Sequence, residues 1–327
     1  MSSQQPLSHH SLKNQIHLAI TTDEDIDFNG CALELFNHQF TNNPIYRKFC
    51  ESQKITPSEI SKWQEVPAIP TRAFKTADSP LSEGPTTFLT SGTTTENKGA
   101  HHFPDTETYE LAALTHWRSH LPELPLFFLA PSPEEAPKSS LSHMFGHLHH
   151  SLDEKNDTPF LLQDSRFQLS SLFKNDRPLI LAGTALAFLH LMESHQAIPL
   201  PKGTQILETG GYKGTSRTLA KPYFYQQLTS FFNIPDSDIH NEYGMTELSS
   251  QAYASGSAGS HRFPHWCRYR ILCPETEREL PIGETGYLEI HDLANIHSVA
   301  AIRTQDFATG NPDGSFNLLG RDPGALP

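Results

Sequence analysis

Asn241-Glu242-Tyr243-Gly244-Met245-Thr246-Glu247 closes an apolar strand pattern that begins at Ile239. Each residue type in it suits nucleotide chemistry. The Tyr243 ring offers a flat face for a base, and Gly244 lets the backbone approach a ligand closely. Thr246 adds a hydroxyl, and Glu247 a hard oxygen of the kind Mg²⁺ takes. Read alone, the seven residues describe a strand end with a solvated acid equally well. What surrounds them decides between the two.

Working outward, short apolar runs at 87–89, 126–130, 160–162, 179–182, 205–208 and 239–241 alternate with helical patterns at 106–120, 140–152, 184–195 and 216–232. That alternation predicts an α/β architecture with its ligands at the strand ends. Thr56-Pro57-Ser58-Glu59 has Thr at an N-cap, Pro at the first helical position and Glu at the third, which predicts a short helix. Beyond Arg268 the texture turns to strand, at 269–273, 287–290, 299–303 and 316–319, separated by Gly, Pro and Asp turns. Ser255-Gly256-Ser257-Ala258-Gly259-Ser260 reads as a flexible loop. The organisation expected is a polar segment over 1–28, an α/β core over 29–255 and a β-rich subdomain over 256–327.

Three further segments carry possible chemistry. Thr90-Ser91-Gly92-Thr93-Thr94-Thr95-Glu96-Asn97-Lys98-Gly99 follows the run Thr87-Phe88-Leu89. A hydroxyl- and Gly-rich loop after a strand can wrap phosphate oxygens with N–H and O–H donors. It is not a Walker A loop, because Asn97 takes the second Gly position and Gly99 follows the Lys. Thr209-Gly210-Gly211-Tyr212-Lys213-Gly214 lies where an apolar run meets a helix and suits a tight turn that a planar ligand can meet. Arg303-Thr304-Gln305-Asp306 and Gly320-Arg321-Asp322 offer a carboxylate for vicinal ribose hydroxyls and an Arg for the same nucleotide. Singly, each is also an ordinary surface loop or turn.

Composition removes several classes of function. The chain has 327 residues, 36% of them apolar and 19% charged, an ordinary globular mixture. A formal charge of −13 gives no basic footprint for nucleic acid, so a polyanionic ligand must be held locally. Cys31, Cys50, Cys267 and Cys273 form no C-x-x-C pair and are too sparse for a disulfide framework, which points to a reducing compartment. Neither a signal-peptide core nor an apolar run of membrane-spanning length is present. The reading is a cytoplasmic protein without a membrane span. No G-x-S-x-G occurs, which argues against a serine hydrolase.

In their order and spacing, the four segments resemble the adenylate-forming superfamily of acyl-, aryl- and aminoacyl-activating enzymes. Glu208-Thr209-Gly210-Gly211-Tyr212-Lys213-Gly214 and Glu242-Tyr243-Gly244-Met245-Thr246-Glu247-Leu248-Ser249-Ser250-Gln251 are similar to the LuxE-type acyl-protein synthetases, which activate fatty acids for a reductase. The resemblance runs from residue 29 to the C-terminus. It implies the large N-terminal α/β domain of that superfamily, with parallel-rich sheets flanked by helices and a smaller C-terminal β-rich region. ATP would bind between the two, and the full mobile C-terminal domain is expected to be absent.

The resemblance also implies the activity: ATP- and Mg²⁺-dependent activation of a carboxylic acid, of the fatty type, and transfer to a thiol on a reductase, a carrier protein or coenzyme A. Catalytic roles fall to Lys98, Thr246 and Glu247, with Glu247 also the metal ligand. Nucleotide contacts fall to Thr90, Ser91, Gly92, Thr93, Thr94, Gly210, Gly211, Tyr212, Tyr243, Gly244, Asp306 and Arg321. His143, Phe145 and Gly211 are candidates for the acyl substrate, with Leu172, Phe173 and residues 185–189 as further apolar wall or as core. His143 and His147, at i and i+4, have no Cys or acid at metal spacing and read as solvated or packing residues.

Thr95 and Gln305 stand where the superfamily has Gly. LuxE-type proteins place an acyl-accepting Cys after the Gly-Arg segment, whereas Cys273 is the last cysteine here and Lys221 the last lysine. Two other readings therefore stand beside the ligase: a non-catalytic acyl- or nucleotide-binding module or reductase scaffold, and an adenylyltransferase that stops at adenylylation.

Overall fold

The computed structural model describes residues 8–22, 26–75, 81–90, 98–153, 155, 157–210 and 219–322. In chain order the helices are α1 (His9–Thr21), α2 (Phe28–Asn42), α3 (Pro44–Ser52), α4 (Glu107–His120), α5 (Ser140–Leu152), α6 (Ser170–Phe173), α7 (Ala185–Ser194) and α8 (Lys221–Phe232). The strands are β1 (Ile69–Pro70), β2 (Thr86–Leu89), β3 (Ala100–Phe103), β4 (Leu126–Leu129), β5 (Leu162–Gln163), β6 (Arg166–Phe167), β7 (Ile180–Thr184), β8 (Gln205–Thr209), β9 (Ile239–Tyr243), β10 (Ala252–Ser255), β11 (Cys267–Leu272), β12 (Thr285–Asp292), β13 (Ala301–Gly310) and β14 (Phe316–Arg321). The fold class is α/β, as the alternation predicts.

Two compact units divide the chain discontinuously. One comprises Met1–Thr115, Met245–Ser250 and Phe263–Pro327, the other His116–Gly244 and Gln251–Arg262. For brevity these are the first and second units.

The second unit is a sheet of order β10-β9-β8-β7-β4 in which β4, β7, β8 and β9 run parallel and β10 returns antiparallel on β9. Parallel neighbours need crossovers, and the helices between them supply these. Leu126–Leu129 is buried at every position, and Ile180–Thr184 at all but the last, because a parallel sheet covered by helices has no wet face for a polar alternation. Phe127, Leu129, Leu181, Ile206 and Ile239 of the strands form one core with Phe188 of α7 and Leu228 and Phe232 of α8. Thr184 caps α7 by accepting the Ala187 N–H at 3.1 Å, and α8 ends at Asn233 in the left-handed conformation.

In the first unit, β11, β12 and β13 form an antiparallel sheet. β14 pairs with β13, and β1 adds to β13 in parallel, so the β-rich C-terminal region takes a strand from residues 69–70. α1 and α2 bury Leu12, Ile16, Ile20, Leu35 and Phe36, the inward face of i, i+3 and i+4 patterns.

Three local expectations are corrected. Residues 56–59 make a single hydrogen-bonded turn, not a helix: Glu59 Oε2 accepts from the Thr56 N–H at 2.9 Å and its hydroxyl at 2.8 Å, satisfying the cap with no helix behind it. The segment 255–260 is a tethered turn, with the Ser257 N–H on Asp236 Oδ2 at 2.9 Å and the Gly256 N–H on the Ile239 carbonyl at 2.8 Å. The pattern at 160–162 yields an isolated bridge from Phe160 to Phe128 and only the start of the two-residue β5.

Candidate functional site

In the first unit, β2 and β3 form an antiparallel hairpin with Leu89 opposite Ala100, so the hydroxyl-rich segment is the hairpin's connection. Its two ends are tied together. The Thr90 N–H donates to the Gly99 carbonyl at 2.9 Å, and the Gly99 N–H donates to Thr90 Oγ1 at 2.8 Å. Lys98 is exposed beside this closure. Ser91, Gly92, Thr93, Thr94 and Thr95 lie outside the described residues.

Thr246 and Glu247 are the central residues of a turn closed by the Leu248 N–H on the Met245 carbonyl at 3.1 Å. The hairpin grips this turn from both of its strands. The Thr246 hydroxyl points to the Leu89 carbonyl at 3.4 Å, and His101 Nδ1 lies 2.8 Å from the Thr246 carbonyl. Glu247 is buried, and its carbonyl accepts from Asn295 Nδ2 at 2.9 Å. Asn295 is itself fully used: Nδ2 also reaches the Val299 carbonyl at 2.9 Å, and Oδ1 accepts the Ser249 and Ser298 hydroxyls, each at 3.1 Å. Asp292 takes the Ser249 N–H at 2.9 Å and the Ser250 hydroxyl at 2.7 Å, and Gln39 brackets the same loop through the Asn295 carbonyl and the Ala300 N–H. Burial pushes the Asp292 carboxyl up against those hydrogen bonds. Sequence patterns miss Gln39, His101, Asp292 and Asn295, because each stands far in the chain from the turn it supports.

Asp306 and Arg321 are directly opposed residues of β13 and β14. The two parts of that motif are thus brought together by antiparallel register alone. The Asp306 N–H donates to the Thr304 hydroxyl at 3.1 Å, and Arg321 Nη2 reaches Gln305 Oε1 at 3.3 Å.

In the second unit, Gly210 and Tyr243 lie at the carboxyl ends of adjacent parallel strands. Thr209 is the register partner of Glu242, and one residue further on each strand is Gly210 and Tyr243. Gly210 has φ +72°, and among the described residues nothing lies within 4 Å of the place its Cβ would occupy, so the glycine answers to backbone conformation. At Gly244 a Cβ would lie 2.2 Å from Glu242 Oε1, so a larger residue there would displace the end of that carboxylate side chain. Tyr243 is largely buried, with the His261 ring edge-on at 6.1 Å.

At these strand ends Glu208, Thr209, Asn241 and Glu242 of the quoted segments join Tyr225 and His261 in a buried polar group. Glu242 accepts from Thr209 Oγ1. Glu208 Oε1 takes Asn241 Nδ2 at 2.6 Å and the Tyr225 hydroxyl at 3.1 Å, and Asn241 Oδ1 pairs with His261 Nε2 at 2.6 Å. Burial pushes Glu208 up to about 7 and His261 down to about 3. Gly211 and Tyr212 lie outside the described residues. On α5, Phe145 is fully buried and stacks on Phe128 at 4.5 Å, while His143 is partly exposed. Phe173, at the end of α6, is exposed, and Leu172 belongs to the core.

No protein-family model matches the chain, and no curated protein matches it by sequence. Solved structures do match. A 2-hydroxyisobutyryl-CoA ligase, in an open conformation with 2-HIB-AMP and CoA, superposes with a TM-score of 0.61 at 15% identity, over 91% of this chain and 76% of the ligase. ATP-bound MatB from Rhodopseudomonas palustris superposes with a TM-score of 0.51 at 16% identity, over 72% of this chain and 47% of MatB. Both share its fold. The chain spans about half the length of MatB. Among the described residues no helix is long and apolar enough to cross a membrane.

Proposed function

We propose that the protein is an ATP-dependent acid–thiol ligase of the adenylate-forming kind, acting on an apolar carboxylic acid of the fatty type as LuxE-type acyl-protein synthetases do. One observation carries the reading: the Thr246-Glu247 turn is fastened to both strands of the hairpin whose connection is the phosphate-loop segment. A hydroxyl and a carboxylate on a turn held by the strands that flank a hydroxyl- and Gly-rich segment suit a polyphosphate with its cation. The fold shared with a CoA ligase that holds an acyl-AMP supports the same chemistry.

In this reading a carboxylate oxygen of the acid attacks the α-phosphorus of ATP, the bond to pyrophosphate breaks, and an acyl-adenylate remains for a thiol of coenzyme A, a carrier protein or a reductase. No strong base is needed, because a free carboxylic acid titrates near about 4 to 5 and is already ionised at neutral pH. The obstacle is bringing one anion to another. Lys98, the Thr90 closure and the Thr246 hydroxyl would hold the phosphate oxygens in place and offset their charge. Tyr243 and Gly210 would face the base, Asp306 the ribose hydroxyls and Arg321 the oxygens near them. His143, Phe145 and Gly211 would lie at the acyl group.

Among the described residues no three His, Cys, Asp or Glu side chains converge on a metal. One buried carboxylate, Glu247, fits a Mg²⁺ that arrives with the nucleotide and keeps phosphate and water oxygens for the rest of its shell. Bound there, the ion would neutralise charge on the phosphates.

Acid-dependent ATP–pyrophosphate exchange tests the proposal. Lys98→Ala and Glu247→Ala should each lower it about a hundredfold to a thousandfold, the usual loss of one preorganised electrostatic contact. Exchange at wild-type rates in both variants would remove the site assignment, and nucleotide binding without turnover would favour the non-catalytic reading.

A further inference from the structure

We propose that His101 is a positioning residue for the Thr246-Glu247 pair, acting through the Thr246 carbonyl; the inference rests on the ligase reading above. His101 and Phe103 are the buried residues of β3. The imidazole is fully buried, with the Phe103 ring at 4.1 Å and Phe74 edge-on at 5.3 Å. An apolar side chain would fill that slot without a desolvation cost, so the histidine needs a reason. Burial holds it down to about 4, so it is neutral with a single N–H. The Thr246 carbonyl, 2.8 Å from Nδ1, can only accept, which places the proton on Nδ1. Nε2 is then a bare lone pair, buried and with no hydrogen-bond partner among the described residues. A polar group is buried half satisfied, and what it obtains in return is one bond to one backbone carbonyl.

That carbonyl is the sensitive one. Thr246 and Glu247 are the two central residues of the turn, and types I and II differ chiefly by rotation of the peptide between them, from ψ near −30° to near +120° at the first. Fixing the Thr246 carbonyl fixes that peptide plane. The next carbonyl, that of Glu247, is fixed by Asn295 at 2.9 Å. With both held, the directions in which the Thr246 hydroxyl and Glu247 carboxylate leave the backbone are set before any ligand arrives. His101 stands two residues past Gly99 on β3, so it registers the turn against the Thr90–Gly99 closure.

The test compares His101→Phe, His101→Asn and His101→Gln in the full chain, measuring acid-dependent exchange, KM for the acid, and melting temperature with and without Mg²⁺-ATP. Phe keeps the packing and loses the donor. Asn carries its amide N–H one bond from Cγ, where Nδ1 is, whereas Gln carries it one atom further, nearer Nε2. His101→Phe should lower kcat about tenfold to a hundredfold, the scale of an ångström-sized misplacement, with KM for the acid unchanged. His101→Asn should recover most of that rate and the Mg²⁺-ATP stabilisation, and His101→Gln should not. Asn and Gln are matched in polarity, so their contrast remains decisive even where Phe fails to fold. Equal rates in those two, or a wild-type rate in Phe, would overturn the role of His101 and leave the ligase reading standing. A wild-type protein without acid-dependent exchange would overturn the reading, and the inference with it.

Discussion

Both units bury apolar residues, but they place their buried polar side chains differently. In the second, strands and helices close over an aliphatic and aromatic core, and polar side chains collect at the carboxyl ends of β8 and β9. In the first, the segments around Thr246 are held by buried Gln39, Asp292, Asn295 and Ser298, side chains that take up hydrogen bonds where apolar residues would otherwise fill space. Apolar packing is tolerant of direction and sensitive to volume; hydrogen bonding is the reverse. The second unit is therefore built as a platform, and the first as a jig that fixes the orientation of one turn.

Substitutions in the two units should separate those properties. Phe188→Ala removes a fully buried ring from the core between α7 and the sheet and should cost roughly 3–5 kcal/mol of stability by urea unfolding, while exchange per folded molecule stays near wild type. Asn295→Ala should cost less, roughly 2–3 kcal/mol, since the carbonyls of Glu247 and Val299 lose a donor but the volume removed is small. Its exchange rate should nevertheless fall further than that of Phe188→Ala. If the Phe variant loses more activity per folded molecule than the Asn variant, the distinction between platform and jig is wrong.

This division also explains what could be read from the chain. β4, β7, β8 and β9 announce themselves because a strand buried on both faces must be a continuous apolar run, and the helices between them follow from their period. Tyr243 and Gly210 are legible for the same reason, since a strand end is a local feature. Asp306 and Arg321 are legible as types, but that they face each other depends on a register that includes a bulge at Phe307 and Ala308. Asn295 and His101 are not legible at all: a lone Asn after Leu293-Ala294 and a His beside another His carry no periodic or capping signal, and their meaning arises only when residues 48 and 145 positions distant arrive beside them. The β1 strand escapes for a similar reason, two residues being too short for any pattern.

The comparison narrows finally to two buried glutamates. Glu289, in the first unit, would be pushed up by burial, but His291 Nε2 and Arg270 Nε, each at 2.9 Å, outweigh it and hold the carboxyl below its ordinary value. Glu208, in the second, is pushed up by burial to about 7, and Tyr225, Lys221 and Asn241 only soften the effect. Between about pH 4.5 and 7 the folded protein keeps the Glu208 proton that the unfolded chain has released. The unfolded state binds fewer protons there, so this group's contribution to stability falls as pH rises through that window and is level above it. Glu208→Gln cannot ionise. The stability difference, variant minus wild type, should therefore climb between pH 5 and 8 by on the order of 2 kcal/mol. His240 and His261, depressed to about 4 and about 3, impose the opposite slope at acid pH, but they do so in both proteins and cancel in the difference. A difference that stays flat from pH 5 to 8 would mean that Glu208 ionises as freely as a surface acid, and that the polar strand ends of the second unit are as well compensated as the jig of the first.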